Sequence, residues 1–352
     1  MKYETLIEEV QRDPLGIGDE WAREYLRDVF EFHFERTPYW RSVAERLKPD
    51  LDEIFQGSLV EVVENIFNAG LTVDEDYLRA RWVDFVPDGY HGRIRFYQSS
   101  GTTRERAIGH WDADYLRILH PYLRAALDGI YGLAEFYDLD HRMRAIAHGP
   151  YGWYQDEISE LVWSYGGMLY FIGMETDGLK RILREQGLDA VLRLLDPLVR
   201  YTRRVMETDR INTVRSAPQL MSLFEPYRES IETAIISGVG ITNEFFEHLS
   251  ELFENTRLIP LYGYYLFGDL VGVHHRGEFR YYPNRPATIV FPMEMRDGEY
   301  RVVGRGERGR VAFVIARPEV LVVKFEDETA TRVPPTGPFR WDGFGDPSRE
   351  VR

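Results

Sequence analysis

The chain of 352 residues contains no cysteine. Without thiols it can form no disulfide, no thiolate metal site and no thioester on a cysteine of its own. No apolar run reaches the roughly 18 residues that a membrane-spanning helix needs. Residues 1–14 carry acidic side chains at Glu4, Glu8, Glu9 and Asp13 in place of an apolar signal segment. We therefore expect a cytoplasmic protein without a membrane span.

Positive charge is also scarce. Lys and Arg number 43 against 58 Asp and Glu, which gives a formal net charge of −15. A broad nucleic-acid surface needs a positive field, so we expect no nucleic-acid partner. The 44% hydrophobic content is that of a globular chain, and the length suits about two domains.

Periodicity divides the chain into three regions and predicts an α/β protein. Residues 1–90 show helical spacing over 21–34, 58–67 and 72–82, with Thr37-Pro38 ending the first helix. Residues 91–267 alternate strands with helices, which predicts parallel-rich sheets covered by helices. Residues 268–352 hold short strands with turns at Arg276-Gly277 and Asp297-Gly298, which predict a small antiparallel barrel. Its tail, residues 334–352, is expected to be irregular.

Ligands of parallel sheets bind at the carboxyl ends of the strands, so the loops there are the candidate sites. The first such loop follows the predicted strand at 93–97. It holds Ser99, Ser100, Gly101, Thr102 and Thr103, with Arg106 close behind. Hydroxyls, backbone N–H groups and positive charge suit a polyphosphate. The competing interpretation is a solvated polar turn.

Two further loops suit a nucleotide base. A strand-to-helix turn is formed by Ser237, Gly238, Val239 and Gly240. It fits either a dinucleotide turn that lacks its third glycine or a plain tight turn. Tyr262 and Gly263 end the next strand inside an aromatic cluster. That cluster suits a planar ring lying against open backbone, or else belongs to the core.

A fourth loop is rich in aromatic side chains. His148, Tyr151 and Trp153 follow a short predicted strand and suit a pocket for an aromatic or acyl group. His148 could act as an acid or a base, but a packed core side chain is the favoured interpretation. His274-His275 does not predict a metal site, because neighbours on a strand point to opposite faces.

Together these loops resemble the adenylate-forming superfamily, in the branch of phenylacetate–coenzyme A ligase and the acyl-protein synthetases of luminescent bacteria. The resemblance spans about residues 25–345 and begins with the Thr-Pro-Tyr-Trp-Arg stretch at 37–41. Residues 99–103 match the Ser-Ser-Gly-Thr-Thr phosphate loop of that branch, and residues 237–240 fall where it contacts adenine. Tyr262-Gly263 matches the Tyr-Gly whose ring packs on adenine.

The resemblance implies that ATP and Mg²⁺ activate a hydrophobic or aromatic carboxylic acid to an acyl-adenylate. An external thiol or amine would then accept the acyl group. The acyl pocket would be shaped by His148, Tyr151, Trp153, Ser216, Ala217 and Pro218, and Asp327 is the candidate ribose ligand.

The sequence departs from that branch in two ways. Leu266 stands where the branch has a Mg²⁺-binding Glu, which leaves Asp269 as the nearest candidate metal ligand. The resemblance also leads us to expect that the C-terminal domain with its catalytic lysine is missing here; either a partner protein supplies it, or the second half-reaction is lost. Two alternatives stay open. One is a catalytically degenerate nucleotide- or acyl-adenylate-binding protein acting through a partner. The other is an unrelated nucleotide- or dinucleotide-dependent enzyme that uses Gly238 and Gly240.

Overall fold

The computed structural model describes residues 3–98, 107–174, 179–237 and 241–349. These residues fall into two compact units. The first is drawn from residues 1–96, 108–126 and 280–352, and the second from residues 97–107 and 127–279. Within the described ranges, no helix is both long enough and apolar enough to cross a lipid bilayer.

Helices dominate the N-terminal part, and strands dominate the C-terminal part. The helices are α1 (Tyr3–Arg12), α2 (Asp19–Arg36), α3 (Pro38–Leu47), α4 (Leu51–Ile54), α5 (Leu59–Asn68), α6 (Glu75–Ala80), α7 (Leu116–Tyr131), α8 (Leu133–Phe136), α9 (Trp153–Ser164), α10 (Leu179–Gln186), α11 (Leu188–Thr208) and α12 (Asn243–Leu252). Short 3-10 helices lie at Trp82–Phe85, Ala113–Tyr115 and Pro218–Ser230. The strands are β1 (Ile94–Gln98), β2 (Ile108–Asp112), β3 (Arg144–Gly149), β4 (Met168–Gly173), β5 (Thr213–Ser216), β6 (Thr233–Ile236), β7 (Arg257–Tyr264), β8 (Gly268–His275), β9 (Glu278–Tyr281), β10 (Thr288–Arg296), β11 (Glu299–Val302), β12 (Arg308–Arg317), β13 (Val320–Val333) and β14 (Gly343–Arg349).

Local capping signals explain where the first helices begin and end. The predicted stop at Thr37-Pro38 is confirmed, because α2 ends at Arg36. Pro38 then opens α3, which the sequence did not predict; a proline is tolerated in a first turn because its missing N–H has no partner there anyway. Ser58 and Glu61 cap α5 reciprocally, each side chain bonding the backbone N–H of the other.

The C-terminal strands of the first unit form an antiparallel sheet in the order β11-β10-β12-β13-β14. The hairpin predicted at Asp297-Gly298 is confirmed: both residues have positive φ, 52° and 84°, and they join β10 to β11. The expectation of an irregular tail was wrong, because β14 pairs with β13 through Thr331 and Gly345. The sequence of β14 alternates poorly, since glycine, proline and polar residues surround Phe344, so period-two analysis could not detect it.

The turn between β12 and β13 is buried, and its carbonyl oxygens are satisfied by side chains from other elements. Tyr25 Oη donates to the carbonyl of Ala316 at 2.8 Å, and Trp40 Nε1 donates to that of Leu321 at 2.8 Å. The imidazoles of His33 and His110 donate to the carbonyls of residues 317 and 319, both at 2.7 Å. Buried backbone groups need such partners, so these four side chains fix the hairpin in the core.

The second unit contains a parallel sheet in the order β4-β3-β5-β6-β7, with β8 antiparallel to β7. Helix α9 packs on β3, β4 and β8, and α11 packs on β4. The predicted alternation of strands and helices is therefore confirmed. Because β3, β5, β6 and β7 are parallel, their carboxyl ends meet at one edge, and this edge carries several of the residues that the sequence singled out.

Candidate active site

His148 and Ser216 form a buried pair at the ends of β3 and β5. Ser216 Oγ lies 3.0 Å from His148 Nδ1, and Thr202 Oγ1 lies 2.8 Å from Nε2. The Thr202 hydroxyl donates to the carbonyl of Leu198 at 2.8 Å, so it accepts the Nε2 proton of the imidazole. Nδ1 then accepts the Ser216 hydroxyl proton.

The histidine of this pair is uncharged. Burial lowers the pKa of His148 to about 4, and the ring stacks on Phe224 with centroids 5.5 Å apart. This side of the predicted acyl pocket is therefore neutral and largely apolar. Of the neighbouring predicted pocket residues, Pro218 is buried and begins the 3-10 helix, with Ala217 in the N-cap position.

The loop after β3 depends on close approaches between rings and backbone. A Cβ on Gly149 would lie 2.1 Å from a ring carbon of Tyr154, so only glycine fits there. Trp153 is buried, whereas Tyr151 is 61% exposed and lies near Phe171 with ring centroids 5.7 Å apart. The two aromatic residues predicted for the pocket thus differ in accessibility.

The predicted phosphate loop follows Tyr97 and Gln98 in the chain. Ser99, Ser100, Gly101, Thr102, Thr103 and Arg106 lie outside the described residues. Tyr97, near the end of β1, donates its hydroxyl to Asp156 Oδ2 of α9 at 2.8 Å. Its ring also approaches Gly152, where a Cβ would lie 2.8 Å from a ring carbon. Tyr97 therefore lies beside the loop of residues 149–154.

Ser237 directly follows β6, and Tyr262 lies in the neighbouring strand β7, two residues before its last residue. The backbone N–H of Ser237 donates to the carbonyl of Ser216 at 3.2 Å, which joins the ends of β5 and β6. Tyr262 is half-buried, and its ring stacks on that of Phe267 with centroids 6.4 Å apart. The intervening Gly238, Val239 and Gly240 lie outside the described residues. Gly263 is exposed and faces Asp269 across the β7–β8 hairpin.

A buried charged cluster joins this hairpin to β5 and α9. Arg215 Nη2 contacts Asp269 Oδ2 and lies 3.1 Å from Glu157 Oε1, and all three side chains are 1% exposed. The backbone N–H of Asp269 donates to Glu157 Oε2 at 3.0 Å. The guanidinium also covers the ring of Tyr154, with Cζ 3.8 Å from the centroid. Asp269, predicted as a metal ligand, is thus an arginine partner in this structure.

Sequence reasoning did not single out Arg215 or Glu157. Arg215 lies in a four-residue strand in which every side chain is buried. An arginine in such a strand requires an anionic partner, and that requirement is the signal that could have revealed the cluster. Glu157 was hidden because it is one of three acidic residues of α9, with Asp156 and Glu160, and acidic residues of a helix are usually expected on its exposed face.

Asp327, the predicted ribose ligand, belongs to the first unit. It is exposed on β13, and its Oδ1 lies 3.9 Å from Arg310 Nη2. The pairing of β12 with β13 shifts register beside it, between Arg310 and Ala312. Such a bulge re-aims the side chains next to it.

The comparisons with known proteins concern the fold. No protein-family model and no curated protein matches the chain. A solved structure of 2-hydroxyisobutyryl-CoA ligase in an open conformation, with 2-HIB-AMP and CoA, matches 93% of this chain and 68% of its own, with a TM-score of 0.63 and 12% identity. The same ligase in its thioesterification state matches 92% of this chain and 66% of its own, with a TM-score of 0.63 and 12% identity.

The chain spans about two thirds of the length of these ligases. With the α/β architecture described above, the match confirms the predicted fold. The protein has the fold of the adenylate-forming ligases.

Proposed function

We propose that the protein activates a carboxylic acid with ATP, forming an acyl-adenylate and pyrophosphate. One observation carries the proposal: His148, Ser216, Ser237 and Tyr262 lie near the carboxyl ends of neighbouring parallel strands, in a fold shared with a ligase that was solved with 2-HIB-AMP and CoA. In such folds ligands bind at that edge of the sheet.

The reaction brings two anions together. A carboxylate oxygen of the acid attacks the α-phosphorus of ATP, and the bond from that phosphorus to the pyrophosphate oxygen breaks. Donors and cations must offset the phosphate charge for this step to proceed. We assign that role to the hydroxyl-rich loop after β1, which consists of Ser99, Ser100, Gly101, Thr102 and Thr103 and is followed by Arg106.

The base would be held by residues of β7 and of the loop after β6. Tyr262 offers a half-buried ring for adenine, and Gly263 beside it leaves the backbone open to approach. Ser237 with residues 238–240 would complete the base site.

The acid is proposed to be hydrophobic or aromatic. His148 is neutral and packs on Phe224, so this wall favours an apolar acyl group over a charged one. Since the chain has no cysteine, the acceptor is an external thiol or amine, either a small molecule or a group on a partner protein.

The described residues do not fit a protein-held Mg²⁺. Within the described ranges, no group of three or more His, Asp or Glu side chains is arranged to hold a metal ion. Asp269 is paired with Arg215, and Leu266 is 1% exposed. We therefore assign no step to a metal held by these side chains.

Exchange of labelled pyrophosphate into ATP tests the proposal. A panel of aromatic and aliphatic acids with Mg²⁺ should reveal at least one acid that supports exchange. The variant S99A/T102V should lose most of this exchange, because it removes two hydroxyl donors from the phosphate loop. The matched control S250A/T208V removes two hydroxyls from helices α12 and α11 and should exchange like the unmodified protein. Absence of exchange with every acid would contradict the proposal.

Leu266 favours a second candidate function, a protein that binds nucleotide or acyl-adenylate without turnover. An apolar, buried side chain stands where the resembling branch has its metal-binding Glu. In that case calorimetry would detect ATP or AMP binding while exchange stays absent. Gain of exchange in the variant L266E would support this alternative further.

A further inference from the structure

The buried cluster of Arg215, Glu157 and Asp269 has no part in the chemistry proposed above. Its three side chains are each 1% exposed. Among the described residues, Arg215 Nε and Nη1 and Asp269 Oδ1 find no hydrogen-bond partner. Buried ion pairs contribute little net stability, because desolvation offsets their attraction, and apolar replacements are often neutral or better. A cluster with unsatisfied atoms is therefore poorly explained by stability alone.

The cluster connects three parts of the candidate site. Arg215 directly precedes Ser216, which holds His148. Asp269 pairs with Gly263 across the β7–β8 hairpin, next to Tyr262. Glu157 lies on α9, one turn after the pocket residue Trp153, and it accepts the backbone N–H of Asp269.

The hairpin is also shaped around the carboxylate. A Cβ at Gly263 would lie 2.5 Å from Asp269 Oδ1, so a side chain there would collide with the ion pair. The glycine beside Tyr262 is thus required by the position of Asp269. Packing therefore couples the position of the predicted base site at Tyr262 to the position of the Asp269 carboxylate.

The two acidic residues of the cluster are joined through Arg215 and through the backbone of the hairpin. Burial and the nearby Asp269 carboxylate raise the pKa of Glu157 well above its usual range. Glu157 also links Arg215 to the backbone N–H of Asp269.

We propose that Arg215, Glu157 and Asp269 form a positioning group that sets the β7–β8 hairpin, and with it Tyr262, against the ends of β3 and β5. The cluster would thereby fix the distance between the base of the nucleotide and the acyl group. This inference rests on the proposed function, and its test must separate positioning from simple stabilisation.

A charge-free triple variant, R215M/E157Q/D269N, provides that separation because it leaves no unpaired buried charge. We expect a thermal midpoint close to that of the unmodified protein. Backbone amides of β7 and β8 should exchange hydrogen about tenfold faster, as the hairpin loses its anchor. The KM for ATP should rise roughly ten- to a hundredfold, since misplaced binding groups lose pre-organisation.

The first unit offers a matched control. Arg317 and Glu319 are both fully buried, their Nε and Oε1 atoms lie 2.6 Å apart, and the Arg317 guanidinium lies 4.0 Å from the centroid of the Tyr115 ring. The variant R317M/E319Q removes a similar ion pair outside the β7–β8 hairpin. It should leave hairpin exchange and the KM for ATP unchanged even if its melting temperature falls.

The measurements distinguish failure of this inference from failure of the proposed function. The positioning role is wrong if the triple variant matches the unmodified protein in two measurements. These are the hydrogen-exchange protection of the β7 and β8 amides and the KM for ATP. If the unmodified protein exchanges no pyrophosphate, the proposed function fails, and hydrogen exchange of the hairpin still decides the positioning role. If the triple variant does not fold, the variant R215K is tested in its place. Lysine keeps the positive charge but lacks the planar guanidinium that contacts both carboxylates. This variant should show faster hairpin exchange and a raised KM, and the inference is wrong if both stay unchanged.

Discussion

Acidification from pH 7 to pH 5 should destabilise the protein through three buried histidines. Burial lowers the pKa of His33 to about 3 and those of His110 and His148 to about 4. In the core of the first unit, His33 Nε2 donates to the carbonyl of Arg317 at 2.7 Å, and Nδ1 accepts the hydroxyl proton of Thr37 at 2.6 Å. A protonated ring has two donors and no acceptor, so it would break the second bond.

The magnitude follows from proton linkage. In the unfolded chain each histidine has a pKa of about 6.5, so the unfolded state binds more protons at pH 5 than the folded state does. The contribution of each buried histidine to the free energy of unfolding is therefore fully present above pH 6.5. It is lost as the pH drops from 6.5 toward the pKa of that histidine in the folded state. Linkage gives a loss of about 2 kcal/mol per histidine between pH 7 and 5. Glu157 and Glu319 act in the opposite direction, because burial raises their pKa values.

Urea unfolding of the unmodified protein and of H33Q at pH 7, 6 and 5 isolates one of these contributions. Glutamine can still donate to the buried carbonyl of Arg317, but it does not titrate. The carboxylates are common to both proteins and cancel in the comparison. Near pH 5 the free energy of unfolding should depend on pH less steeply in H33Q, by about 1.4 kcal/mol per pH unit. Equal slopes in the two proteins would refute the claim that His33 is buried in its neutral form.

Three other substitutions test local packing. The variant G263A places a Cβ 2.5 Å from Asp269 Oδ1, so we expect a loss of about 1–3 kcal/mol by thermal melting and a raised KM for ATP; an unchanged KM would argue against the coupling. The variant S58A removes the capping box of α5 and should cost about 1 kcal/mol in urea unfolding, whereas an unchanged midpoint would mean that the cap is dispensable. The variant W40F leaves the buried carbonyl of Leu321 without its donor and should cost about 2–4 kcal/mol, and a smaller loss would indicate that water reaches the carbonyl.

Strongly periodic segments of the fold were predictable from sequence. The strands and helices of residues 91–267 alternate in hydrophobic spacing, and the hairpin at Asp297-Gly298 has turn residues that tolerate positive φ. Elements held by tertiary pairing were not predictable. Strand β14 has a weak hydrophobic alternation and forms because β13 offers it backbone hydrogen-bond partners. Helix α3 was missed because a proline such as Pro38 can signal the end of one helix as well as the first turn of the next.

The candidate site was predictable where a single loop carries the signal. Tyr262, Ser216 and His148 were found from turns at strand ends, and the structure places them at one edge of the sheet. Contacts between distant residues were not visible. Asp269 was predicted as a metal ligand because it is the carboxylate nearest to Leu266, where the family that the chain resembles has a metal-binding Glu. Its partner in the structure, Arg215, lies 54 residues away along the chain.

The geometry of β5 explains how a neutral pair and a charged cluster can share one strand end. Successive side chains of a strand point to opposite faces, so Arg215 and Ser216 face different layers of helices. Ser216 meets His148 and Thr202 of α11, and both of these residues are neutral. Arg215 meets Glu157 of α9 and the Asp269 carboxylate. Because the sheet separates its two faces, the face with His148 can stay apolar. The opposite face carries the charged Arg215, which anchors the β7–β8 hairpin that contains Tyr262. Exchanging the order of these two residues would put an uncompensated charge beside His148, and an acyl pocket there would lose its apolar wall.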